Sequence, residues 1–260
     1  MASLELEHAY GPQVHLLDDP FLLSLLAQLG HPETTTSQLR PLLRRIYERL
    51  VGAALAWEFP RIEAKIPTRM LQYTEKGYYE GPILDPETKV VIACLVRAGV
   101  LPSEICYETL SQVLPSENLR LDYLSMSRKV DENGRVIGTD DSGLKIGGPI
   151  EDAILLLPDP MGATGGTVCR TLDIYYGMDL GTPKEVIALP MISTPEFLRR
   201  LQADHPEVVT YTARLDRGLS SPEALAAVPG TFEDERGLND HQYIVPGAGG
   251  LGEILTNSWI

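Results

Sequence analysis

The chain has 260 residues, 43% of them hydrophobic, enough for a sizeable core in one large domain or two small ones at roughly 100–200 residues per domain. A formal net charge of −14, from 22 Lys+Arg against 36 Asp+Glu and with no basic stripe, argues against a nucleic-acid binder. No apolar run approaches the ~18 residues of a membrane span, the start MASLELEHAYGPQ lacks the regions of a signal peptide, and the three cysteines (Cys94, Cys106, Cys169) have neither disulfide-framework nor zinc spacing, so a cytoplasmic protein is expected.

Residues 1–66 read as a helical N-terminal part. DDPFLLSLLAQLG (18–30) joins an acidic start, an apolar stripe and a closing glycine, the makings of a short capped helix. In SQLRPLLRRIYERLVGAALAWEF (37–59), Leu42, Leu43, Ile46, Leu50 and Ala54 recur near helical spacing, opposite Arg44, Arg45 and Arg49. Pro41 fits the first turn of that helix, where a missing N–H costs nothing. The arginine face suits either a solvated surface or a phosphate patch.

After Pro67 the texture changes to short apolar runs. KVVIACLVRAG (89–99), LRLDYLSMSRKV (119–130), DAILLLPDP (152–160), EVIALPMIS (185–193) and EVVTYTARL (207–215) are strand candidates. Helix-like PSEICYETLSQVL (102–114), GATGGTVCRTLDIYYG (162–177) and TPEFLRRLQADHP (194–206) separate them. This alternation predicts an α/β fold built on a doubly wound, mainly parallel sheet, as a single domain over residues 1–260. Asn133-Gly134, between Val130 and Val136-Ile137, is a hairpin signal and predicts a polar arm over residues 128–146. The same polarity suits a solvated loop.

The segment that carries chemistry is AILLLPDPMGATGGTV (153–168). An apolar strand ends at Asp159, and a turn of Gly162, Ala163, Thr164, Gly165 and Gly166 leads into a helix at Thr167. Small residues let the backbone close around a ligand with its N–H groups pointing inward. The helix N-terminus adds partial positive charge, so the geometry suits a phosphate monoester. Thr164 and Thr167 can add hydroxyl donors. Asp159 stands where doubly wound folds bind ligands and can accept hydrogen bonds from ribose hydroxyls. The plainer alternative is a glycine turn ahead of a helix. A Walker loop is excluded because no lysine follows the glycines, and the GxGxxG string at Gly247–Gly252 has no room for a βαβ unit behind it. The five histidines are scattered, and His241, the one near a motif, reads as a surface or packing residue.

DPMGATGGT (159–167) resembles the phosphoribosyl-diphosphate loop of type I phosphoribosyltransferases, in the variant of the uracil phosphoribosyltransferase family, where proline replaces the second acidic residue, as Pro160 does here. Three more segments agree in order and spacing. CLVRAG (94–99) resembles that family's strand-end arginine segment. HPEVVTYTARLDRGL (205–219) resembles the approach to its terminal motif, and Tyr243-Ile244-Val245-Pro246-Gly247 the start of its base-recognition loop. The resemblance runs from about Trp57 to the C-terminus and loosely through the N-terminal helices.

It implies a site for phosphoribosyl diphosphate and a pyrimidine-like base. Pro160, Met161, Gly162, Ala163, Thr164, Gly165, Gly166 and Thr167 would hold the 5-phosphate, Asp159 the ribose hydroxyls, and Arg97 and Arg128 the diphosphate. Backbone groups of Ile244, Gly249, Gly250 and Leu251 would read the base edge. Mg2+ is expected through the ligand rather than in a protein cage. Diphosphate departure leaves an oxocarbenium-like ribose, so the protein must neutralise the leaving group and exclude water; an arm closing over the site would serve the second need. A homodimer or higher homo-oligomer is implied, with the N-terminal helices as the expected contact.

The chain departs from the family in two places. Where the family's terminal loop continues Gly-Asp-Ala-Gly-Asp, this chain has Gly249-Gly250-Leu251-Gly252-Glu253. LSSPEALAAVPGTFEDERGLN (219–239) reads as an insertion of one short helix and loops, bordered by the related strings Asp216-Arg217-Gly218-Leu219 and Glu235-Arg236-Gly237-Leu238. These departures leave two further readings open: a catalytically weakened homologue with a regulatory ligand, and a specialised transferase with another acceptor.

Overall fold

Val90 to Leu95 form an unbroken apolar run, and a strand of that kind has to be covered on both faces. The computed structural model describes residues 5–130 and 136–258, without the side chains of 127–142. In chain order the elements are β1 (Val14–Leu16), α1 (Pro20–Leu29), α2 (Thr36–Trp57), β2 (Arg61–Pro67), β3 (Tyr78–Leu84), β4 (Val90–Val96) and α3 (Val100–Leu110). Then come β5 (Leu119–Val130), β6 (Val136–Lys145), β7 (Ile154–Leu157), β8 (Met161–Gly162), α4 (Gly166–Gly177), β9 (Glu185–Ala188), β10 (Ile192–Ser193) and α5 (Pro195–Asp204). The chain ends with β11 (Val209–Thr212), β12 (Arg214–Leu215), α6 (Pro222–Ala226) and α7 (Leu251–Thr256).

The main sheet has seven strands in the order β1-β11-β9-β7-β4-β5-β6, parallel throughout except where β6 returns against β5. It is covered on both sides, as a doubly wound sheet requires. Leu39, Leu43 and Ile46 of α2 and Ile105 of α3 meet Val90, Ile92, Ile154, Leu156 and Ile187 on one face. Val168 and Leu172 of α4 and Phe197 and Leu198 of α5 meet Val91, Ala93, Leu95, Leu155 and Leu157 on the other. Successive residues of β4 therefore serve opposite cores. Among the described residues no helix is long and apolar enough to cross a membrane.

Several expectations need correction. The runs 185–193 and 207–215 are each two strands, not one, and the strand in 152–160 ends at Leu157, with a second beginning just past the run at Met161. β7, β9 and β11 stop and resume as β8, β10 and β12, which form a second, three-stranded parallel sheet. Pro158, Pro160 and Pro190 have no N–H to give a ladder, so the first sheet closes with Leu189 N–H on Leu157 O (2.9 Å) and the second opens with Ile192 N–H on Pro160 O (3.2 Å). The N-terminal part is not wholly helical: β1 joins the edge of the main sheet beside β11, and β2 opens an antiparallel hairpin with β3. Pro41 lies in the second turn of α2, because the helix starts earlier, at Thr36, behind a box in which Gln38 Oε1 accepts from Thr35 N–H (2.9 Å). The arginine face of α2 is a surface with local partners, Arg44 on Glu108 and Arg49 on Asp19. The Asn133-Gly134 turn lies outside the described residues, while the flanking β5 and β6 are paired from Tyr123–Lys145 to Val130–Val136.

Buried carboxylates pin the excursions from this frame. At the root of the arm, Asp122 is fully buried; it accepts two hydrogen bonds from Arg120 (2.9 and 3.0 Å), one from Gly147 N–H (2.9 Å) and one from the Tyr175 hydroxyl (2.8 Å). Burial, and then Asp122, push the Tyr175 phenol well above its usual range, so it stays a donor. The 219–239 segment closes on itself. Leu219 N–H donates to Arg236 O (3.0 Å), which brings the two related strings side by side, and Arg217 reaches Glu235 (2.9 Å) across them. Glu235, also fully buried, accepts from Tyr10 OH (2.5 Å) and from Gly230 N–H as well. Removing one member of such a buried pair strands the other. Glu235→Ala is therefore expected to destabilise the fold by about 3–5 kcal/mol, read from the midpoint of urea unfolding; a loss below about 1 kcal/mol would contradict this account.

Candidate active site

β4 and β7 are neighbours, yet the helices that follow them diverge. α3 carries the chain from β4 to β5 on one side, and α4 carries it from β7 to β9 on the other. Their departure on opposite faces leaves a crevice beyond the carboxyl ends of the two strands, the place where open α/β sheets bind ligands. Arg97 follows the end of β4 and Asp159 follows the end of β7, so the topology brings together two residues 62 positions apart in sequence (159 − 97). Gly99 permits the approach. A Cβ there would stand 2.7 Å from Leu95 O and 3.1 Å from Pro158 O, too close for any side chain. The Val96–Arg97 peptide bond is cis.

From Asp159 to Gly166 the chain builds a cup. Asp159 Oδ1 accepts from Met161 N–H (3.3 Å), Thr164 Oγ1 accepts from Gly166 N–H (3.3 Å), and Cys169 N–H closes the first helical bond on Gly165 O (3.0 Å). Gly165 turns the chain with φ +75°, a conformation that disfavours side chains. The amides of Thr164, Gly165, Thr167 and Val168 have no acceptor among the described residues, and they stand at the positive end of α4. An anion cup of backbone donors is the chemistry this offers. Burial pushes the Cys94 and Cys169 thiols up to about 11, so neither is a ready nucleophile.

The sequence reading missed what holds the cup. Thr194, the cap of α5, donates its hydroxyl to Ala163 O (2.6 Å) while its N–H reaches Gly162 O (3.1 Å). The Thr194-Pro195 pair was visible as a helix start, but nothing in it announced a second bond to the loop. A second missed pair is Arg214 and Asp216. Asp216 is 3% exposed, accepts from Arg214 at 2.5 and 2.7 Å and from Gly247 N–H at 2.7 Å, while Arg214 also donates to Gly247 O (3.0 Å). This clamp sets the terminal loop.

Within that loop, Ile244 and Leu251 turn their side chains into the core, Leu251 at 1% exposure as the first residue of α7. Leu251 is thus an anchor of the helix, and only its backbone is left to face a ligand. Gly249 is exposed at φ +76°, and Gly250 caps α7. Arg97 Nη2 lies 3.3 Å from Glu253 Oε1, and Nη1 donates to Ser258 O (3.0 Å). Val96 pairs with Ser125, so Arg128 sits on the stretch of β5 that runs past the end of β4, paired with Thr139; its side chain is outside the described residues. His241 is exposed.

A family model for uracil phosphoribosyltransferase matches residues 16–235. The chain belongs to the uracil phosphoribosyltransferase family. The uracil phosphoribosyltransferases of Burkholderia thailandensis and Burkholderia mallei are each 27% identical to it over 247 residues, spanning 94% of this chain and 94% of theirs. The solved structure of an Aquifex aeolicus protein, 24% identical, has the same fold with a TM-score of 0.70, covering 93% of this chain and 97% of its own. The family match ends at Glu235, ahead of the terminal loop in which this uracil phosphoribosyltransferase homologue departs from the pattern.

Gly165 tests the cup. An alanine Cβ would meet Leu201 Cδ1 at 3.1 Å in a left-handed backbone, costing about 1–2 kcal/mol or forcing the turn open. Gly165→Ala is expected to weaken phosphate-ester binding at least tenfold while α4 stays folded; unchanged affinity in calorimetry would show that the turn does not shape the site.

Proposed function

We propose that this protein transfers the 5-phosphoribosyl group of phosphoribosyl diphosphate to a pyrimidine base, uracil or a related acceptor, releasing diphosphate and forming a nucleoside monophosphate. One observation carries the reading: the 159–166 cup of backbone amides stands beside Arg97 at the crevice between β4 and β7. The 5-phosphate sits in the 160–167 loop at the start of α4, on the amides of Thr164, Gly165 and Thr167, which no bond among the described residues occupies. Asp159 accepts from the ribose hydroxyls, and Arg97 and Arg128 receive the diphosphate. Backbone groups of Ile244, Gly249, Gly250 and Leu251 face the base edge.

The reaction asks for charge neutralisation rather than for a nucleophile on the protein. As diphosphate leaves C1, negative charge grows on the leaving group and positive charge on the ribose; the arginines answer the first and the Asp159 carboxylate lies near the second. The arm of β5 and β6 excludes water when it folds over the crevice. Mg2+ fits as a companion of the ligand, since Asp159 offers a hard carboxylate oxygen at the strand end where the ribose is proposed to lie. The ion, when bound with the phosphates, supplies further neutralisation of the diphosphate. The three cysteines, all free and buried, suit the cytoplasmic setting expected from the sequence.

A second reading keeps the reaction and changes the acceptor. A cleft of about 570 Å³ lined by Glu196, Arg236, Leu238, Asn239, Asp240 and Gln242 adjoins the segment leading into the terminal loop. Its polar walls favour a base with a polar substituent.

Calorimetry with phosphoribosyl diphosphate and Mg2+ tests the proposal, followed by turnover across a panel of bases. Micromolar binding and diphosphate release with a pyrimidine are expected, and Asp159→Ala and Arg97→Ala are each expected to slow turnover more than tenfold. No heat at millimolar ligand would defeat the reading. Binding without turnover of any base would leave a regulatory ligand in its place.

We propose further that the working unit is a homodimer. Beyond its root, where Leu84 packs on the core, the β2–β3 hairpin stands in solvent, exposing Ile62, Ile66, Tyr78 and Tyr79. An isolated two-stranded sheet is marginal in water, so a second copy of the chain packed on it meets a physical need. Sedimentation at micromolar concentration should give twice the chain mass, and Ile62→Asp with Ile66→Asp should halve it; a monomeric wild type would overturn the dimer.

A further inference from the structure

We infer that Glu253 is an internal anion on the diphosphate arginine: its carboxylate occupies Arg97 until a diphosphate takes it, and so sets how tightly the site holds one. The inference rests on the role proposed for Arg97 and adds to it a residue that determines affinity.

Two nitrogens of Arg97 face the C-terminal helix. Nη2 lies 3.3 Å from Glu253 Oε1, and Nη1 donates to Ser258 O at 3.0 Å. α7 is placed to make these contacts. Leu251 and Leu255 anchor it in the core, and a Cβ on Gly252 would touch Ala98, the residue after Arg97, at 3.6 Å. The first turn of α7 therefore rides on the arginine segment itself.

Gly250 makes room for the carboxylate. A Cβ on residue 250 would stand 2.6 Å from Glu253 Oε2 and 3.4 Å from its Cδ, against the carboxyl end of Glu253. The volume that a side chain at 250 would fill is thus taken by an acid three residues later. Glycine at 250 and glutamate at 253 act as one unit, with the negative charge delivered from the second position.

The consequence is competition. An N–H of Arg97 directed at Glu253 is not directed at a phosphate oxygen, and the carboxylate repels an incoming anion. Because the pair is partly exposed, with side chains at 31% and 38%, it is weak enough to be exchanged. When diphosphate takes the guanidinium, the end of α7 loses its tie.

Inorganic diphosphate is the probe, measured by calorimetry at low salt on the full chain. Glu253→Gln should bind it roughly two- to fivefold more tightly, the range expected for losing a partly exposed ion pair. Gly250→Ala keeps the charge but pushes the carboxylate off Arg97, and should shift affinity the same way. In an Arg97→Ala background the Glu253→Gln gain should shrink to less than half. Amide exchange at Ile254–Ser258 should quicken when the wild type is saturated. A wild type that binds diphosphate, with Glu253→Gln unchanged or weaker, overturns this inference alone. A wild type that binds no diphosphate overturns the role of Arg97 and this inference together.

Discussion

The site exists because two neighbouring strands send their helices in opposite directions. β4 hands the chain to α3 and β7 hands it to α4, on opposite faces of the sheet. Neither helix can then cover the carboxyl ends of the pair. What closes the gap is a backbone contact: the turn through Gly99 lies against Leu95 O and Pro158 O, where a Cβ would stand at 2.7 and 3.1 Å. That contact couples the arginine segment to the aspartate segment, so Arg97 and the 159–166 cup keep one geometry. Two further parts are attached to these ends. The cup hangs from β7 and is pinned by Thr194, while α7 rides on Ala98.

The excursions from the frame share a device. At the arm root, Arg120 grips Asp122 two residues on, and Asp122 takes Gly147 N–H while Arg120 donates to the Gly148 and Pro149 carbonyls. At the terminal loop, Arg214 grips Asp216 in the same i to i+2 relation, with Gly247 supplying both the N–H and the carbonyl. In each case a buried carboxylate and its arginine bond both polar groups of a returning backbone. The desolvation of such a pair costs about as much as the pairing returns, so little net stability is gained. The gain is position: a loop that leaves the sheet comes back to one place. Glu235 with Arg217 does this for the 219–239 segment, whose ends meet through Leu219 and Arg236.

Much of this was readable before any coordinates. The apolar runs of β4 and β7, the glycines before α4 and the arginine and aspartate at the strand ends all carry local signals, and the family match over residues 16–235 agrees with the resemblance drawn from them. What was hidden is non-local. Arg214 and Asp216 look like ordinary polar residues after a strand, because a clamp on a loop more than thirty positions away leaves no periodic trace. β1 is three residues long, too short for alternation to stand out. The breaks in the runs at 152–160 and 185–193 were marked by their prolines, but continuing apolar character on both sides suggested single strands. Leu251 is a further case: the motif says nothing of where its side chain goes, and the pitch of α7 turns it into the core with Leu255.

That last point bears on how such a loop diverges. A base read by backbone groups does not depend on which side chains the loop carries, provided the chain path is kept. The path here is kept by Asp216 and Arg214 on one side and by the buried Ile244, Leu251 and Leu255 on the other. Side-chain changes are then free to accumulate where they face the solvent or one another. The change at 250 is of the second kind. Glycine at 250 leaves a space, and the Glu253 carboxylate, one turn along the helix, stands in it and meets Arg97. The acid retained at the second position of the motif is thus the one that reaches the arginine.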